Sequence, residues 1–267
     1  MPRFAANLTL LFTEWAFLDR FKAASDAGFA GVECLFPYAW SAQEMAARLR
    51  DHDLQQVLFN FPAGDWQAGE RGIAALPGRE AEFRDGVARA LSYAEPLQCQ
   101  RINCLAGIVS DEADHEACWR TLIDNVRYAA DKLAPLDKTV LVEAINSRVD
   151  IPGFFLDRSD RVMQLLAAVD RPNVQFQFDL YHMQIMEGDL SRSLSKYCPH
   201  IGHIQFADNP GRHEPGSGEI NFSHLWRHLD QLGYRGWVSA EYHPLTDTIS
   251  GLTWLPHSAT VGAKTGC

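Results

Sequence analysis

The sequence predicts an α/β protein built as one closed (β/α)8 barrel, and three observations predict it. Four short apolar runs each end in an oxygen-bearing side chain. They are 139–142 before Glu143, 174–178 before Asp179, 203–204 before Gln205 and 237–240 before Glu241. The four polar residues lie 36, 26 and 36 positions apart, and each gap accommodates a strand, a loop and a helix. Runs spaced in this way read as strands of a buried parallel sheet. Second, strand-like and helix-like segments alternate along the whole chain, with no linker, internal repeat or low-complexity tract. Third, the rival doubly wound sheet needs an early Gly-rich phosphate turn, and neither G-x-G-x-x-G nor G-x-x-x-x-G-K occurs.

Taken in order, Phe4 to Leu8 is the first strand. A helix from about Glu14 to Ala27 follows, stopped by Gly28. Gly31 to Leu35 is the second strand. Ser41 and Glu44 form a capping box that opens a helix to about Arg50. Gln55 to Phe59 is the third strand. The connection from Asn60 to Gly78 is long and rich in Gly and Pro, and would sit over the barrel mouth where a lid belongs. A helix over 79–94, a strand over 101–105 and a helix within 111–133 come next. The fifth strand ends at Glu143 and its helix spans 159–169. The sixth ends at Asp179, with a helix near 190–197. The seventh ends near Gln205. Asn221 caps a helix that runs to Leu232 and stops at Gly233, and the eighth strand ends at Glu241. One domain over 1–255 results, with a loose tail over 256–267.

The bulk properties narrow the function. A chain of 267 residues that is 46% hydrophobic buries a sizeable core. A net charge of −10 argues against a nucleic-acid backbone or an anionic membrane as partner. No apolar run is long enough to span a bilayer, and the first residues lack the pattern of a signal peptide. The six cysteines form no C-x-x-C pair or zinc pattern, as expected of reduced thiols in a cytoplasmic protein.

A polar residue at the C-terminal end of a barrel strand usually faces the active site. Glu143, Asp179, Gln205 and Glu241 together would make an all-oxygen site for a hard divalent cation, Mg²⁺ or Mn²⁺. Any one of them alone reads more readily as a surface loop residue or helix cap. Four at one end of successive strands do not.

At these positions the chain resembles the hydroxypyruvate isomerase family, a branch of the xylose-isomerase-like TIM barrels. The matching residues are Val142-Glu143-Ala144, Asp179-Leu180-Tyr181-His182, Gln205 with 212–215, 218–221, and 237–242. The openings at 4–8, 33–38 and 74–78 match as well, so the resemblance covers about 1–255. The broader superfamily usually places His where this chain has Gln205.

The resemblance implies that Glu143, Asp179, Gln205 and Glu241 bind one divalent metal, and that a small keto acid is isomerised. Glu143 and Glu241 lie three strands apart in a ring of eight, so they reach the substrate from opposite sides. That arrangement suits proton transfer between neighbouring carbons through a cis-enediolate. His182 is implied to hydrogen-bond a substrate oxygen, with a helix cap as the plainer reading. Arg212 is implied to hold the substrate, since a guanidinium matches a carboxylate, with a solvated loop arginine as the plainer reading. Glu70, with Arg71 and Trp66, would close over the site from the long loop, unless that loop is merely surface. Asn7, Glu33, Asn60 and Asn103 fall near strand ends as supporting groups.

Two substrates stay open: hydroxypyruvate, giving tartronate semialdehyde, and 2-oxo-tetronate, giving 3-oxo-tetronate. Both present the same hydroxy-ketone and carboxylate. A sugar epimerase or inosose dehydratase is the next reading, and a non-catalytic sugar-acid-binding module the last. A DNA-repair endonuclease would need several His ligands and a basic face. The oligomeric state is open, although barrels of this kind often pair into homo-oligomers.

Overall fold

The computed structural model describes residues 2–256. Eight parallel strands close into a barrel in sequence order, β1 Arg3–Asn7, β2 Gly31–Glu33, β3 Gln55–Asn60, β4 Arg101–Cys104, β5 Thr139–Glu143, β6 Val174–Asp179, β7 Ile201–Phe206 and β8 Trp237–Ala240. β8 pairs with β1 to complete the ring. The helices outside it are α1 Arg20–Asp26, α2 Ala42–Asp51, α3 Glu80–Ala94, α4 His115–Leu133, α5 Ser159–Val169, α6 Leu180–Met186, α7 Leu190–Tyr197 and α8 Phe222–Gln231. The main core lies between strands and helices, and includes Phe59, Phe176, Phe178 and Phe206, each fully buried. Both faces of every strand are covered, which is why the strands read as continuous apolar runs.

A second, smaller core of Ala5, Val57, Leu58, Leu141 and Trp237 fills the barrel interior. The Trp237 ring needs Gly31: a Cβ there would stand 2.7 Å from the indole and 2.9 Å from Val57. The interior is thus packed at one end, and the polar ends of the strands are left to form the other.

The helix boundaries follow their caps. Ser41 Oγ accepts from the Glu44 amide (3.2 Å) and the Glu44 carboxylate accepts from the Ser41 amide (3.2 Å), the predicted capping box. Asn221 accepts from the His224 amide at 3.0 Å. The predicted helix within 111–133 begins only at His115, because Asp114 caps it by accepting from the amides of Glu116 and Ala117. The helix predicted from Glu14 forms only from Arg20, after a 3-10 turn over Phe17–Asp19. The short α6 is not expected from the sequence. It starts directly after β6 because Asp179 is its own cap, accepting from the amides of Tyr181 (2.7 Å) and His182 (3.3 Å).

The five cysteines among the described residues are unpaired, and four of them are buried. No helix among these residues is long and apolar enough to cross a membrane. The tail expected over 256–267 falls, beyond Pro256, outside the described residues.

Candidate active site

The strand register sets the site. Glu143 sits beside Gln177, Asp179 beside Gln205, and Gln205 beside Ser239. Asn7 sits beside Glu33 and Asn60 beside Asn103. The C-terminal rim of the barrel is therefore a ring of polar side chains, almost all of them buried. Buried polar atoms need partners, and most of these find them in one another. The Asn103 amide donates to Glu143 Oε2 at 2.8 Å. The Asn7 amide donates to Glu33 (3.0 Å) and to Glu241 Oε1 (2.9 Å). Gln205 Nε2 donates to the same two carboxylates, at 2.7 Å and 3.1 Å. Beneath them His203 pairs with Glu33 at 2.8 Å.

Arg212 arrives from the loop after β7. That loop is folded around Asp208, whose buried carboxylate accepts from four backbone amides, those of Asn209, Gly216, Gly218 and Ile220, at 2.9–3.0 Å. Arg212 itself has a left-handed backbone (φ 58°). Its Nη2 donates to Glu241 Oε2 at 2.6 Å, and Nη1 lies 3.6 Å from Asp150. The guanidinium rests over the Tyr181 ring, 5.2 Å from its centroid.

His182 is held from the opposite side. The amides of Val149 (3.0 Å) and Asp150 (2.9 Å) donate to Asn146 Oδ1, which settles which end of that side chain is oxygen. Asn146 Nδ2 therefore faces His182 Nδ1 at 2.7 Å and donates to it, and also to the Asp150 carboxylate. Nδ1 must then be the acceptor, and the ring proton resides on Nε2. Burial, helped by the nearby Arg212 charge, holds the His182 pKa well below its usual value, so the ring is neutral.

Carboxylates dominate the electrostatics. Burial, with Glu241 and Asp179 close by, pushes Glu143 well above the usual carboxyl range. Burial raises Asp179 to about 6, opposed by Arg212. Glu241 is raised to about 8 by burial, against the pull of the same arginine. Burial would raise Glu33 too, but His203 and the Gln205 amide outweigh it and hold Glu33 low. Three buried acids thus share one arginine. Oxygens of Glu143 and Asp179 and a ring nitrogen of His182 lie within 4.8 Å of one another. The carboxylates of this cluster, with their shortfall of positive charge, fit a divalent cation.

A cavity of about 330 Å³ opens over these groups. Glu143, His182, Arg212 and Glu241 line it, with Gln177, Asp150 and, from the long loop after β3, Trp66 and Arg71. A larger hollow, about 530 Å³ beside Gly28 and Leu252, has no such convergence of charged groups.

The structure brings together Glu143, Asp179, Glu241, His182 and Arg212. Gln205 joins them, but its Oε1 is turned to Gln177 Nε2 (2.5 Å) because two carboxylates claim its nitrogen. Glu70 does not join them. It points to the outer side of its loop, where it pairs with Arg79 (2.7 Å) and accepts from the Asp65 amide (2.5 Å). The expectation that Glu70 contacts substrate is corrected accordingly; its neighbour Arg71 is the one that lines the cavity. Asn146, Asp150, Gln177 and His203 do not stand out in the sequence. The alternation of a strand could have found two of them. Gln177 and His203 lie two residues before Asp179 and Gln205 and so face the same way.

A parallel barrel whose rim gathers buried acids around one open cavity has the build of a barrel enzyme with a cation-ready site. The family described as Xylose isomerase-like TIM barrel matches residues 21–257, and the chain belongs to it. A 2-oxo-tetronate isomerase of Cupriavidus necator is 49% identical over 96% of this chain and 98% of its own. The hydroxypyruvate isomerase of Escherichia coli is 48% identical over the same shares. Among solved structures, one named AP endonuclease, family 2, from Brucella melitensis superposes with a TM-score of 0.93. It is 52% identical, over 95% of this chain and 98% of that one.

Proposed function

We propose that this protein isomerises small hydroxy keto acids, hydroxypyruvate to tartronate semialdehyde, with 2-oxo-tetronate to 3-oxo-tetronate as the close competitor. The observation that carries this reading is the pair Glu143 and Glu241. Both line one cavity, from strands on different sides of the barrel. The near-full-length likeness to relatives named for these two reactions supports it.

In this reaction C3 loses a proton, C2 gains one, and the hydroxyl proton passes from O3 to O2. One glutamate takes the carbon-bound proton and the other side of the site returns one. Arg212 keeps the Glu241 carboxylate aimed across the cavity at 2.6 Å from its own nitrogen. His182, neutral and protonated on Nε2, donates to a substrate oxygen.

Glu143, Asp179 and Glu241, with Gln205 beside them, would hold one Mg²⁺ or Mn²⁺. Bound there, it would acidify the C–H next to the carbonyl and stabilise the negative oxygen that develops. A set of carboxylate and amide oxygens favours such hard ions. Unpaired thiols support a reducing compartment, the cytoplasm. A nuclease reading, which the name given to the Brucella structure invites, sits poorly with a charge of −10 and one histidine in the acidic cluster.

The test is proton NMR in D₂O, with metal-stripped and Mg²⁺- or Mn²⁺-loaded protein and each keto acid. Metal-dependent isomerisation is expected, and the faster substrate settles specificity. No isomerisation and no deuterium uptake with either substrate would sink the reading.

A further inference from the structure

Two arginines line the cavity, and they are not equivalent. We infer that Arg71 anchors the substrate carboxylate, while Arg212 is the fixed counter-ion of Glu241. The inference rests on the keto-acid isomerase reading of the site and refines it.

Arg212 is already committed to an acid at one terminal nitrogen. It donates to Glu241 at 2.6 Å and approaches Asp150 at 3.6 Å, and Asp179 and Glu143 add to the negative field around it. Its Nε is buried without a partner among the described residues, but a carboxylate there would compete with Glu241 for the same guanidinium. Arg71 has no such partner: among the described residues no carboxylate lies within ion-pair distance of it. Its Nη1 donates to the backbone carbonyls of Trp66 (3.0 Å) and Glu70 (2.8 Å), and neither Nε nor Nη2 makes a bond to these residues. That leaves one guanidinium edge, two parallel N–H groups, free for a carboxylate.

The group is also held in place. The guanidinium stacks on Trp66, 4.2 Å from the ring centroid. The next residue, Gly72, pairs with Ala106 after β4 and donates to the Ala63 carbonyl at 3.1 Å. Its backbone (φ +117°) and its tight approach to the Leu105 carbonyl admit no side chain. Glu70 and Arg79 clamp the loop from outside. Arg71 is thus a preset cation across the cavity from the acids that handle the hydroxy-ketone end. It would select keto acids over uncharged sugars.

Steady-state kinetics of the Mn²⁺-loaded protein with hydroxypyruvate, for wild type, Arg71→Gln, Arg71→Lys and Arg212→Gln, tests this. Calorimetric titration with glycerate, a non-reacting three-carbon carboxylate, accompanies it. Losing the anchor should raise KM and weaken glycerate binding roughly 10- to 100-fold, with kcat changed by less than about threefold. Lysine should restore part of the binding. Arg212→Gln should instead act mainly on kcat. Unchanged KM and glycerate affinity in Arg71→Gln would overturn the inference. So would a fall confined to kcat, which would mark Arg71 as a strut of the loop. If wild type turns over neither keto acid, the isomerase reading fails and glycerate decides alone. Binding that depends on Arg71 then sustains the anchor; binding that is absent or indifferent to Arg71 overturns it.

Discussion

Stripped of divalent ions, this protein should lose stability as the pH rises through the neutral range. The cause is the acidic cluster. Asp179 and Glu241 hold a proton more tightly in the folded protein, at about 6 and about 8, than in the unfolded chain, at 3.8 and 4.5. Between those limits the native state binds more protons than the unfolded state, so stability falls as pH increases. The penalty is absent below about pH 4 and complete only above about pH 8. Glu33, held low, works in the opposite sense, but its contribution changes only below the ordinary carboxyl range. Asp179 alone, moved from 3.8 to about 6, corresponds to about 3 kcal/mol. Glu241 and Glu143 add to this, though they share protons and do not add independently. About half of the Asp179 share is already lost at pH 5, whereas Glu241 loses most of its share between pH 5 and pH 8.5. With about 3 kcal/mol lost over that interval, at roughly 2–4 °C per kcal/mol, the Tm of the chelated protein should fall by about 6–12 °C.

On the proposed reading a divalent cation would supply the missing charge. At a hundredfold excess over its Kd it should stabilise by about 2.7 kcal/mol. Its effect should be greater at pH 8.5 than at pH 5, where protons already neutralise the site. Scanning calorimetry of chelated and Mg²⁺- or Mn²⁺-loaded protein at both pH values measures all four Tm values. A chelated Tm that is flat or rises with pH would refute the charge argument. So would a cation effect of equal size at both pH values, because it would place the ion away from these acids.

Further outcomes follow from the same geometry. Glu143→Gln and Glu241→Gln should each lower kcat by roughly 10²- to 10⁴-fold with native circular dichroism, since each removes a proton-transfer group; activity within a few-fold of wild type would remove those roles. Asn146→Leu should free His182 to take the other tautomer and strand the Val149 and Asp150 amides. It should cost about 1–3 kcal/mol in a urea melt and at least about tenfold in kcat. An intact kcat would show that the ring proton does not act on substrate. Gly31→Ala should force a methyl group against Trp237 and Val57 and cost about 1–3 kcal/mol, read as a lower urea midpoint. A neutral result would mean that the barrel interior is loosely packed.

The barrel was legible because its determinants are local. Parallel strands buried on both faces spell continuous apolar runs, and Ser41, Asn221 and Gly233 mark helix ends within a few residues of themselves. Helix α6 escaped because seven residues carry too little periodicity, and because its cap, Asp179, also reads as a site residue. Of the site, the residues on the rim itself were visible from strand ends alone. Residues delivered by loops were harder. Glu70 and Arg71 are adjacent, and nothing in their order says which faces inward. The fold decides it through Arg79, which draws Glu70 outward, and Gly72, which pins the backbone against Leu105.

The same distinction separates the two arginines. Sequence chemistry matches any guanidinium to a carboxylate, so Arg212, beside recognisable site residues, drew the substrate. Only the structure shows that Asp208 folds the β7 loop to bring Arg212 onto Glu241, so that its charge is neutralised within the protein. A cation already paired at 2.6 Å tunes a neighbour, whereas one held only by backbone carbonyls can still bind an anion. Division of the two tasks has a chemical advantage. Were one arginine to serve both the substrate and Glu241, substrate binding would weaken the arginine's hold on the proton-transfer group just when its geometry matters most. With the tasks separate, Glu241 keeps its aim throughout turnover, and the carboxylate is gripped from the opposite wall.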